Sequence, residues 1–101
     1  MSFVFYHRTT SAAAYTILRE GFRDGTGTYL AERQFSGIWL SQTPFDANDG
    51  VWGDTLLEVT IDLAADVLAD LEWVEEGKQR REWLVPAVLL NPNCRVRIVE
   101  E

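Results

Sequence analysis

Phe3-Val4-Phe5-Tyr6-His7-Arg8-Thr9-Thr10-Ser11, continuing through Ala12 to Phe22, is the stretch on which the fold turns. Its bulky, aromatic opening predicts a short strand that stops at the polar Arg8-Thr9-Thr10, leaving His7 at the strand end. Thr10 or Ser11 can then cap a helix in which Ala14, Ile17 and Leu18 fall on one face. Gly21 is placed to end that helix, and Phe22 to fold back onto its last turn as the apolar contact of a left-handed cap.

Outward from this unit the chain reads as strands more often than helices. Arg23 to Ser36 lacks clear periodicity and predicts a long irregular stretch. Within it Gly25-Thr26-Gly27 has neither the Lys nor the context of a phosphate loop, and reads as a lid. Gly37 to Ser41 predicts a second strand. Pro44 then opens a turn, or one helical turn, through Phe45-Asp46-Ala47-Asn48 that Gly50 closes. Asp54 to Leu63 predicts a third strand with imperfect alternation at its start, and Ala64 to Asp70 a short helix. Leu71 to Val74 suggests a further strand, and Glu75 to Arg81 an exposed charged stretch. The run Trp83 to Leu90 suits a buried strand with Pro86 at a bulge or edge. Asn91-Pro92-Asn93 is a turn signal, and Arg95 to Val99 alternates as a last strand. The expected class is α+β: a single domain over residues 1–101, with one main helix and a mostly antiparallel, split or strongly bent sheet.

Composition narrows the function. A chain of 101 residues with 47% apolar content holds one core and is too apolar for disorder. No apolar run approaches the roughly 18 residues of a membrane span, and the start lacks a secretory pattern, so a cytoplasmic protein is expected. Cys94 is the only cysteine and His7 the only histidine, which leaves no ligand set for structural zinc; Asp46, Asp49 and Asp54 fail calcium-loop spacing and read as turn residues. Sixteen acidic against nine basic residues give a net charge of −7, a field that opposes nucleic-acid backbones.

Taken in order, Tyr6-His7-Arg8-Thr9-Thr10, Ile17-Leu18-Arg19-Glu20-Gly21-Phe22, Gly37-Ile38-Trp39-Leu40-Ser41 and Arg81-Glu82-Trp83-Leu84-Val85 resemble the ADP-ribosyltransferase family. The likeness is to the branch of diphtheria toxin and the poly(ADP-ribose) polymerases, which carries a His on the first strand, a Tyr on the second and a Glu on a later one. It runs over residues 3 to 90. The resemblance implies NAD as substrate, with ADP-ribose passed to a target or NAD hydrolysed, as in a bacterial toxin or a modifying enzyme. It also implies a protein target and, for a toxin, an antitoxin.

By this resemblance Glu82 accepts a hydrogen bond from the ribose and stabilises its developing positive charge, and His7 bonds a ribose hydroxyl. Trp39 takes the aromatic position that stacks on nicotinamide, Thr9 helps hold the carboxamide, Arg8 reaches a phosphate, and Ser41 closes the second-strand motif. Two positions depart from the pattern: Arg8 stands where Gly is common, and Trp39 where the branch has Tyr. Two alternatives remain open, a non-catalytic binding module of the same fold and an RNA 2′-phosphotransferase-like enzyme.

Overall fold

Strand β1 (Phe3–Thr9) leads through Thr10 into helix α1 (Ser11–Glu20). The Thr10 hydroxyl accepts from the Ala13 N–H at 3.1 Å, satisfying one of the amides that a helix start leaves without a partner. Gly21, at φ 88°, ends the helix and donates its N–H to the Ile17 carbonyl at 2.8 Å. Phe22 then turns inward and is buried. The computed structural model describes residues 2–23, 25–29, 33–44, 53–73 and 81–100.

Beyond this unit come β2 (Gly25–Tyr29), β3 (Arg33–Ser41), β4 (Thr55–Ile61), α2 (Ala65–Leu71), β5 (Glu72–Trp73), β6 (Glu82–Val85), α3 (Ala87–Leu90), a 3-10 turn (Asn91–Asn93) and β7 (Cys94–Val99). Six strands lie in the order β5-β6-β3-β1-β4-β7, and β2 pairs with β3 off that path. Every pairing among the described residues is antiparallel, which makes the domain α+β as its alternating patterns predict.

The register explains the core. Phe5 pairs with Val59, Phe3 with Ile61, Leu40 with Trp83 and Ile38 with Val85, so these side chains share one face of the sheet. Ala14 of α1, Leu68 of α2 and Leu90 of α3 belong to the same buried cluster, which sets all three helices on that face. Phe5 meets Trp83 edge to face at 4.7 Å between ring centres. The opposite face carries Tyr6, Trp39, Glu58, Glu82 and Leu84; on it Arg97 grips Glu58 through two bonds of 2.9 Å. The imperfect alternation at the start of β4 comes from Leu56 and Leu57, which are both buried though they point to opposite faces.

Two expectations change. Residues 25–29 and 33–37 are not irregular: they form a hairpin ladder from Gly25↔Gly37 to Tyr29↔Arg33, so Gly25-Thr26-Gly27 is strand, not lid. Backbone pairing alone builds such a ladder, and its Gly- and Thr-rich arm has no apolar alternation to announce it. The apolar run 83–90 is likewise not one strand. It ends at Val85, and Pro86 caps α3, its carbonyl accepting from Leu89 at 3.0 Å and Leu90 at 2.9 Å. The turn expected at Phe45 to Gly50 and the charged stretch from Glu75 to Arg80 lie outside the described residues.

Asn91 ties the segment after α1 to the turn after α3. Its Oδ1 accepts from the Phe22 N–H at 2.8 Å, and its Nδ2 donates to the Phe22 carbonyl at 2.9 Å. Asn91→Ala removes the partners of both the N–H and the C=O of Phe22, which are part-buried, and is expected to lower unfolding free energy by about 2 kcal/mol. A urea titration checks this, and an unchanged midpoint would show that the clasp contributes nothing.

Candidate functional site

The sheet is discontinuous between β1 and β3. These neighbours share the single register pair Tyr6↔Ser41, while β3 goes on to pair with β6 as far as Ile38 and with β2 from Gly37. Toward Thr9 the two strands part, and a cleft of about 490 Å³ opens between them and α1. His7 and Thr9 line it from β1, Ile38 and Trp39 from β3, and Ala13, Thr16 and Ile17 from α1; Phe22 and Arg23 complete its rim. Apolar walls with a few convergent polar groups are the usual make-up of a small-molecule site.

His7 bridges the gap. Its Nδ1 lies 2.8 Å from the Trp39 carbonyl oxygen, and since a carbonyl only accepts, Nδ1 carries the proton. In the neutral ring this leaves Nε2 as the acceptor. The imidazole and the Phe22 ring also meet edge to face, 5.5 Å between centres and nearly perpendicular. Burial holds the His7 pKa below its ordinary 6.5, against the opposing pull of the Trp39 hydrogen bond. The ring is therefore neutral near pH 7 and offers a lone pair to a hydroxyl donor.

A histidine whose charged form is disfavoured by the fold binds fewer protons there than in the unfolded chain, so its contribution is complete above 6.5 and is lost as pH falls below it. Urea midpoints should drop between about pH 7.5 and about pH 6, and His7→Gln should flatten that slope. A wild-type midpoint that rises on acidification would reverse the assignment.

Of the residues read from sequence, His7, Thr9 and Trp39 meet at this cleft. The other three do not line it. Arg8 alternates to the opposite face of β1, where its guanidinium lies 3.4 Å from the Gly53 carbonyl. Ser41 is fully buried and donates to the Thr43 carbonyl, with the Tyr6 carbonyl 3.5 Å away; it secures the one point where β1 and β3 join. Glu82 pairs with Ser41 and Trp73, on the face that carries the Trp39 side chain. Trp39 thus belongs to both places: its backbone carbonyl faces His7 in the cleft, its side chain lies on the Glu82 face, and the residue is 39% exposed.

The chain matches no protein-family model, no curated protein and no solved structure. The chemistry of the cleft carries the functional argument.

Sequence reasoning missed two polar cleft residues. Thr16 adds a hydroxyl whose Oγ1 donates to the Ala12 carbonyl at 3.2 Å, and Arg23 adds a cation at the rim, 3.8 Å from Glu20. Arg23 follows the Gly21-Phe22 cap directly, so the helix end that was legible also fixed where this charge would stand. Among the described residues no group of three or more His, Cys, Asp or Glu is placed to hold a metal, and no helix is long and apolar enough to cross a membrane.

Proposed function

We propose that this domain binds NAD in the cleft between β1 and β3 and cleaves its nicotinamide–ribose bond, passing ADP-ribose to a protein target or to water. The observation that carries the reading is the meeting of His7, Thr9 and Trp39 where the strands part. It is supported by their placement on β1 and β3 and by that of Glu82 on a later strand, which follows the order of the ADP-ribosyltransferase motif. Neutral His7 offers Nε2 to a ribose hydroxyl, the Trp39 indole offers a face to the nicotinamide ring, and Arg23 offers a guanidinium to a phosphate. As nicotinamide leaves with the electron pair of the broken bond, positive charge grows on the ribose. Glu82 lies on the sheet face opposite His7, so for its carboxylate to stabilise that charge the dinucleotide must pass through the gap between β1 and β3; the acceptor's lone pair then forms the new bond.

On this reading the activity belongs in the cytoplasm, where NAD is available, and a toxin of this kind has a neutralising partner whose basic surface suits the net charge of −7.

Calorimetric titration of NAD into wild type, Trp39→Phe and Trp39→Ala tests the binding step. Trp39→Ala should weaken NAD by about 1–3 kcal/mol, the range for bases on aromatic platforms, and Phe should recover much of the loss. Its 39% exposure means that the Ala variant should still melt cooperatively. Equal NAD affinity in all three proteins would remove Trp39 from the site.

The placement of Glu82 outside the cleft lining favours one rival, a non-catalytic module of the same fold. Saturable NAD binding without nicotinamide release would decide for that rival.

A further inference from the structure

Strands β5 and β6 form two successive cross-strand pairs, Glu72↔Trp83 and Trp73↔Glu82. Because side chains alternate, the two pairs lie on opposite faces and have the same composition, one indole and one carboxylate. On the helix-covered face the first pair already holds a guanidinium. Arg81 lies over the Trp83 ring with Cζ 4.9 Å from its centre, and its Nε and Nη2 donate to the two Glu72 oxygens at 2.9 and 2.7 Å. A planar cation stacked on an indole and forked onto a carboxylate is thus a combination this ribbon holds internally.

The second pair repeats it on the other face, with a further wall. Trp39, from β3, meets Trp73 edge to face, 5.6 Å between ring centres and 83° between planes, and Glu82 stands opposite both Trp73 and Ser41 in the ladder. Two perpendicular indoles beside a carboxylate make a corner in which a flat cation can stack on one ring and fork onto the acid. A carboxylate has two oxygens and about four acceptor sites, so a contact that Glu82 makes within the chain does not exhaust it. The net charge of −7 draws cations toward the surface.

We propose that the corner formed by Trp39, Trp73 and Glu82 binds the guanidinium of an arginine side chain on a partner polypeptide. Arginine is favoured over lysine because its fork matches a carboxylate and its plane matches an indole face, whereas a compact ammonium uses only the charge. The site does not require the cleft to hold NAD, and it is tested without NAD, so its failure is separate from a failure of the NAD reading.

The test uses three acetylated, amidated tripeptides with Arg, Lys or citrulline between two glycines, each titrated to millimolar concentration while the indole N–H resonances are followed by NMR. The arginine peptide should move the Trp39 and Trp73 resonances and leave that of Trp83, on the other face, in place. Citrulline, which has the same shape without the charge, should bind at least about fivefold more weakly, and lysine should fall between. Glu82→Gln should weaken the arginine peptide about fivefold or more and bring it level with lysine, in a protein whose melt shows that it is folded. Equal binding of citrulline and arginine, tighter binding of lysine, unmoved Trp39 and Trp73 resonances, or an arginine affinity untouched by Glu82→Gln would each overturn the proposal.

Discussion

A Gly53→Ala chain is expected to lose roughly 2–6 kcal/mol of stability, a large part of the total for a domain of this size. Gly53 adopts φ 132°, a region that strains any residue with a side chain, and an added Cβ would lie 2.2 Å from the Thr9 carbonyl oxygen and 2.8 Å from its Cα. Both atoms are backbone, so no side chain can rotate away; the end of β1 itself must move. Two further contacts depend on this approach. The Arg8 guanidinium lies 3.4 Å from the Gly53 carbonyl, and Oδ1 of the adjacent Asp54 accepts from the Ser11 N–H at 2.9 Å. Gly21→Ala is the internal comparison: it shares the strained backbone, at φ 88°, but the three atoms nearest its added Cβ all belong to the Asn91 side chain, the first at 3.0 Å. Thermal melts should rank Gly53→Ala well below Gly21→Ala, and Gly53→Ala melting like the wild type would refute the close-packing argument. Thr9 lines the cleft, so NAD binding in any folded Gly53→Ala fraction should fall as well.

Glu82→Gln should reduce nicotinamide release from NAD by roughly 10²-fold or more while leaving the melt almost unchanged. The amide keeps the shape of the carboxylate and its place opposite Ser41 and Trp73, yet it cannot counter positive charge on the ribose. The loss should appear in kcat more than in KM, because that charge exists chiefly in the transition state. Equal release by two equally folded proteins would sink the catalytic role of Glu82. Trp39 gives the complementary pattern, in which weaker NAD binding accounts for most of the loss.

The first strand, the capped helix and the last strand were legible because their signals are local: Thr10 before an apolar helical face, Gly21-Phe22 after it, and alternation from Arg95 to Val99. The hairpin of residues 25–29 and 33–37 was not, because a Gly- and Thr-rich ladder is held by backbone groups that every residue has. Pro86 was read as an irregularity within a strand, although the missing N–H that forbids a strand interior is well suited to a helix start. Within the candidate site, His7, Thr9 and Trp39 could be named from the chain, but their faces could not. Alternation turns Arg8 away from the cleft, and register sets Glu82 on the Trp39 face. The Asn91 clasp was invisible for a simpler reason, since its partner Phe22 is 69 residues away.

The central position of β1 bears on how the chain emerges from a ribosome. Of the described strands β1 is made first, yet its neighbours, β3 and β4, come from residues 33–41 and 55–61. Until β4 is made, Phe3 and Phe5 lack their partners Ile61 and Val59. Long-range pairing of this kind closes slowly and leaves apolar strand exposed meanwhile. A nascent chain stalled before Thr55 would therefore display an aromatic strand with an open edge, a form suited to capture by a holding chaperone or to pairing with another unfinished copy.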